Sequence, residues 1–166
     1  VFEDNAKNVK KWAENSLEDF GLARKNAITM ASDFGALFKG MGIGLKQTEE
    51  WSKTLTERTM DLSNFYDTTV EETTNALNAI VTGQTEPLRR FGINMSQAAL
   101  QEYAFAHGIK KKVSEMTEAE KVQLRYNFVI ERTNIAVGTT ARESDTATGQ
   151  LNRFGQVVEE LGTNFS

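Results

Sequence analysis

Residues 83–100 read GQTEPLRRFGINMSQAAL. The stretch holds the chain's only proline, Pro87, between two glycines placed as helix stops. Gly83 ends a helix, because a residue without Cβ enters the left-handed cap conformation at little cost. Thr85 or Glu86 then caps a short new helix, with Pro87 in its first turn, where the missing N–H removes no hydrogen bond. Gly92 stops that helix and Ser96 caps the next. Gly83, Pro87 and Gly92 therefore define a rigid elbow, two helical turns pinned between two stops.

Downstream, Ser96 to His107 reads as a short helix ended by Gly108, with Leu100, Tyr103 and Ala104 inward. After Lys110, Lys111 and Lys112, Thr117 and Glu120 have capping-box spacing. The helix they open extends to about Val137 and is apolar nearly all round, which marks it as the central helix, stopped by Gly138. Residues 139–149, TTARESDTATG, are almost devoid of apolar side chains and read as a polar linker or exposed helix start. Leu151, Phe154, Val158, Leu161 and Phe165 then repeat at three- and four-residue spacing, the seam of a starting coiled coil.

Upstream, Thr48, Glu49 and Glu50 suit a helix start, after which Trp51, Leu55, Leu62, Phe65 and Tyr66 share a face. Thr69 and Glu72 form a second capping-box pair leading Leu77, Ile80 and Val81 to the stop at Gly83. These two segments predict an antiparallel helical hairpin. The preceding Gly35–Leu45, GALFKGMGIGL, lacks the Gly-Lys-Ser/Thr ending of a phosphate loop. It reads as an apolar helix-to-helix turn, the alternative being insertion into a membrane or another subunit. Residues 3–20 form an amphipathic helix. Ala23, Ala27, Met30, Ala31, Phe34, Leu37 and Phe38 continue an apolar face, as a second helix or a kinked continuation. With no alternating strand pattern, the fold class is all-α, a bundle of helical hairpins. Its expected domains are a helical body over 1–138, the polar segment 139–149 and a truncated amphipathic helix over 150–166. Because the chain starts at Val1 and its last helix is cut at Ser166, it is expected to be a piece of a longer protein.

A hydrophobic content of 39% with 25% charged residues fits a folded protein. The absence of cysteine excludes a disulfide framework, a thiolate metal site and a cysteine nucleophile in this segment. The net charge of −4 does not suggest general nucleic-acid affinity. Charge is uneven, however: residues 47–81 are acidic, while 86–112 carry Arg89, Arg90, Lys110, Lys111 and Lys112.

No constellation in the sequence supports catalysis, a cofactor or a metal. His107, the single histidine, lies at a helix C-terminus, where it caps carbonyls. No Gly-x-Ser-x-Gly occurs, and the carboxylate pairs Glu71/Glu72, Glu118/Glu120 and Glu159/Glu160 fall at helix starts or on charged helix faces. The candidate interaction residues are Arg89 and Arg90, with the three lysines. Arg89 and Arg90 either tie the elbow to the acidic hairpin or meet a partner chain or nucleic acid, the last disfavoured because phosphate binding needs more positive charge than this stretch carries.

Residues 82–100 (TGQTEPLRRFGINMSQAAL) and 111–133 (KKVSEMTEAEKVQLRYNFVIERT) resemble tail tape-measure proteins of long-tailed bacteriophages and prophages. FGLARKNAITMASDFGALFKGMGI (20–43) and LSNFYDTTVEETTNAL (62–77) are similar to the same family, so the resemblance covers roughly residues 20 to 155 in order. It implies a long, mostly helical virion component that fills the tail-tube lumen, sets tail length and is ejected to assist DNA delivery. The implied partners are copies of itself in a trimer or hexamer, tail-tube and tail-tip proteins, and assembly chaperones, with contact to the host membrane at infection. The implied location is the phage tail, and the host cytoplasm during assembly. The short capped helices and elbow suit a compact domain rather than a plain rod. The alternatives are a helical protein-binding module, whose mark is an exposed apolar groove beside the elbow, a membrane-interacting segment at 35–45, and a cell-wall hydrolase.

Overall fold

The structure, a computed structural model, describes residues 7–11 and 24–144. Among these residues there is no strand, and the all-α expectation holds. Residues 7–11 are helical and bury Val9; the rest of the expected helix over 3–20 and the heptad seam over 151–165 lie outside the described residues. The chain then forms α1 (Arg24–Gly40), α2 (Leu45–Phe65), α3 (Val70–Leu77) and α4 (Ala79–Thr82). A 3-10 turn over Glu86–Phe91 leads to α5 (Gln97–Ala106), and a second over Val113–Glu115 leads to α6 (Glu118–Arg132). A third, Asn134–Ala136, precedes α7 (Thr139–Ser144).

One local device recurs at the helix ends. Gly42, Gly92 and Gly108 each adopt a left-handed φ of 71 to 81° and are each followed by isoleucine. In each case the isoleucine N–H reaches back five residues to a carbonyl: Ile43 to Phe38, Ile93 to Leu88 and Ile109 to Ala104. This is the Schellman closure, in which the residue after the glycine also supplies a hydrophobic contact. Ile43 and Ile93 are buried accordingly. The four residues between α1 and α2 thus fold α2 back along α1, the most extensive helix pairing among the described residues. In this turn Met41 and Ile43 pack on the core, as an apolar connection requires, while Leu37 and Leu45 point outward.

The most buried helix is α2, which touches α1, α3, α7 and the last 3-10 turn. The expected central helix, α6, buries Val122, Leu124, Tyr126, Phe128 and Val129 but exposes Gln123, Asn127 and Glu131 along one edge. It also ends at Arg132, so that Ile135 and Val137 are exposed rather than inward. Periodicity misleads here because α2 buries polar side chains. Ser52, Thr56 and Thr59 each donate a hydroxyl hydrogen bond to the carbonyl four residues back, at 2.5 to 2.8 Å. A hydroxyl satisfied within its own helix enters the core without the cost of an unpaired group. Small polar residues then let neighbouring helices approach.

An aromatic trio joins α1, α2 and α6. Trp51 stacks on Tyr126 at 4.3 Å, and Phe38 meets Trp51 edge-on at 5.3 Å. At the other end of α2 a buried polar clasp takes over. Arg58 donates to Ile130 O and to Thr133 Oγ1, both at 2.6 Å, at the C-terminus of α6. One turn on, Asp61 accepts the N–H groups of Gly138 (3.1 Å) and Thr140 (3.0 Å) at the start of α7. Asn64 donates to Thr140 Oγ1 at 2.8 Å. A cation therefore caps one helix C-terminus and an anion the next helix N-terminus, each complementing the partial charge there.

Other expectations shift at element ends. α2 begins at Leu45 after an extended Gly44, so Thr48 is inside the helix and buried instead of capping it. Thr69 caps α3 by accepting Glu72 N–H, yet the reciprocal arm is missing, since the Glu72 carboxylate accepts from Thr68 Oγ1 and Arg90 instead. The Thr117 and Glu120 box forms in full. Residues 139–144 are helical, and Thr139 and Thr140 are buried against α2 rather than exposed.

Candidate functional site at the elbow

The elbow begins where α4 ends, at Gly83, with φ 77° and its N–H bonded to Ala79 O at 2.8 Å. The segment between the two glycine stops is a 3-10 rather than an α turn, with Pro87 near its start. Thr85 precedes it without a side-chain capping bond. Leu88 and Phe91 from the turn, and Ile93 and Met95 after it, are all buried, so the elbow is anchored on four apolar side chains. Tyr66 adds its hydroxyl to Phe91 O at 3.1 Å. Rigidity here comes from packing on both sides of Gly92.

The five candidate interaction cations do not converge on one partner. Arg90 donates to the Glu72 carboxylate, tying the elbow to α3. Arg89 turns to Glu86 in its own segment at 3.5 Å, both well exposed, a pair that contributes little to stability. Lys111 pairs with Glu120 at 2.8 Å, while Lys110 and Lys112 are exposed. The Lys111 ammonium, with the Thr117 N–H, holds the Glu120 carboxyl down at about 2.

His107 closes α5. Its Nδ1 lies 2.8 Å from Tyr103 O, its ring tilts over Tyr103 at 4.1 Å, and its Nε2 is 3.5 Å from Glu131. An Nδ1–H donated to that carbonyl is the capping role expected at a helix C-terminus. Burial, reinforced by a hydrogen bond to Glu131, pushes the Tyr103 phenol up to about 12, so it stays protonated. Of the carboxylate pairs, Glu72 and Glu120 are engaged in capping and ion pairs, Glu118 lies near Lys121, and Glu159/Glu160 lie outside the described residues. Among the described residues no three metal-ligand side chains cluster, and no helix is long and apolar enough to cross a membrane.

Beside the elbow a cleft of about 330 Å³ opens between Gly83 and Thr85, the first turn of α5 and α6. Met95, Leu100 and Val113 form its apolar floor. Ser96, Gln97 and Ser114 supply polar groups, and Lys121 and Arg125, one turn apart on α6, supply positive charge. The Arg125 guanidinium lies against Gly83, where an added Cβ would come within 3.0 Å of Nη2. Its Nη1 reaches the carbonyls of Ile80 and Val81 at 3.3 and 3.4 Å, long bonds that close the end of α4. Burial lowers its pKa, Glu118 opposing the effect. Among the described residues no carboxylate lies within ion-pair distance of it. Lys121 Nζ lies 3.6 Å from Glu118.

Lys121 and Arg125 were not among the sequence candidates. Their signal is present in KVQLRYNF, where two cations at i and i+4 interrupt an apolar run, but their use depends on the elbow arriving over them. No known protein family, no curated protein and no solved structure matches this chain.

Proposed function

We propose that this chain is a structural helical module of a phage or prophage tail tape-measure protein, acting without catalysis. The observation that carries the proposal is the ordered resemblance over residues 20 to 155. Its four stretches fall on α1 and its Schellman turn, the α2–α3 corner, the elbow with the start of α5, and α6. In the tail, copies of the chain pack with one another inside the tube, contact tube and tip proteins, and leave with the genome at infection.

Within that role the module is a folded station rather than a ruling stretch. Among the described residues the longest helix has 21 residues and spans roughly 30 Å, whereas residues 24–144 as one continuous helix would span on the order of 180 Å. The test is an in-frame deletion of residues 24–144 in the encoding phage or prophage, with tail lengths read by electron microscopy. The expected result is tails that fail to assemble or infect, or that shorten by much less than the continuous-helix length. Intact, infectious tails of unchanged length, or purified tails lacking this chain by mass spectrometry, would overturn the proposal.

A further inference from the structure

The geometry points to the cleft beside the elbow as a binding site for a carboxylate carried on a short aliphatic body, independently of any role in a tail. The argument starts from Arg125. A guanidinium has five N–H donors, and this one places only two long bonds on carbonyls while sitting half-buried with no carboxylate in ion-pair distance among the described residues. A partly desolvated cation gains most from an anion that reaches it through the cleft, since charge-assisted bonds strengthen where water is excluded.

Charge count selects the ligand. Lys121 and Arg125 stand one turn apart on the face that lines the cleft, and Glu118 offsets one of them. The net local charge of about one positive unit suits a singly charged carboxylate better than a dianionic phosphate. The planar guanidinium also matches a carboxylate's two oxygens. The floor selects the rest. Met95, Leu100 and Val113 are buried apolar side chains at the base of the cleft, and its volume of about 330 Å³ exceeds what a bare anion fills. Ser96 and Gln97, at the first turn of α5, line the same space and add the positive end of a ten-residue helix.

Two sources share this chemistry: a polypeptide C-terminus ending in an aliphatic residue, and a free aliphatic acid. NMR titration of the isotope-labelled chain separates them, using N-acetyl-leucine for the first and hexanoate for the second. N-acetyl-leucinamide serves as the uncharged control and inorganic phosphate as the charge-only control. The expected result is saturable shifts at Arg125, Ser96 and Ser114 with one or both acids, and binding about tenfold weaker for both controls. Preference for N-acetyl-leucine assigns the site to a peptide terminus, and preference for hexanoate to a free acid.

Lys121→Gln, whose wild-type side chain makes only a surface pair, should weaken the acids about tenfold. Arg125→Gln should weaken them further but also loosens the end of α4. Glu118→Gln guards against misreading a folding defect, because removing the competing anion should tighten acid binding. Equal binding of acid and amide, failure of both acids to shift the cleft at millimolar concentration, or unchanged affinity in Glu118→Gln would each overturn the assignment.

Discussion

Asp61 is 4% exposed, and its two carboxylate oxygens accept the N–H groups of Gly138 and Thr140, which begin α7. Removing the carboxylate leaves both donors without that partner and Arg58 without the charge that most favours its ionised form. Asp61→Ala should therefore cost about 3 kcal/mol, measured by urea unfolding, with amide exchange rising first over residues 138–144. The left-handed glycines give a second, graded test. At Gly92 a Cβ meets nothing within 4 Å, so Gly92→Ala costs only the backbone conformation, about 1 kcal/mol. At Gly83 the same change also pushes the Arg125 guanidinium off the carbonyls of Ile80 and Val81, so Gly83→Ala should be the more damaging. Equal losses at the two glycines would mean that Arg125 does not close α4.

At the scale of elements, the start of α6 is the most complete cap among the described residues. Thr117 Oγ1 accepts Glu120 N–H, and the Glu120 carboxylate accepts Thr117 N–H while pairing with Lys111. Thr117→Ala should cost about 1 kcal/mol. The same cluster carries a pH dependence. The folded Glu120 carboxyl titrates at about 2, below the unfolded carboxylate value of about 4.3. Its stabilising contribution is thus fully present above about 4.3 and is lost as pH falls through about 2. An NMR titration of the Glu120 side chain should find this low midpoint in the wild type. Lys111→Gln, which removes the largest cause of the depression, should move it up toward the ordinary range. An unmoved midpoint would assign the effect to the cap alone.

On the scale of the whole molecule, α2 is the member that α1, α3, α6 and α7 share, while α4 and α5 pack on α6. Its N-terminal half joins α1 and α6 through Phe38, Trp51 and Tyr126, and its C-terminal half holds the ends of α6 and α7 through Arg58, Asp61 and Asn64. Truncating the hub of the trio, Trp51→Ala, should cost about 3–5 kcal/mol by loss of apolar burial and stacking. Because three helices meet there, thermal unfolding should stay a single transition at a lower midpoint. A second, separate transition would show that α1 detaches from the rest.

The sequence by itself determined where helices begin and end at most of the sites that matter. Gly83, Gly92 and Gly108 stand in the left-handed region at the ends the sequence expects them to close, and Ser96 and Thr117 cap as their spacing predicts; Gly138 is left-handed too, but it precedes α7 instead of ending α6, which stops at Arg132. These signals are legible because a cap is closed by groups within about five residues of one another. Which helix lies deepest was decided only by the tertiary structure. Hydrophobic periodicity favours α6 because it counts apolar side chains, whereas α2 enters the core with hydroxyls satisfied by its own backbone and with Arg58 and Asp61 satisfied from far along the chain. Arg58 finds Ile130 and Asp61 finds Thr140, 72 and 79 residues away. The cleft is of the same kind. Its floor, its hydroxyls and its two cations come from three separate stretches, and only the elbow's fixed angle sets Gly83 beneath Arg125 and closes the space between them.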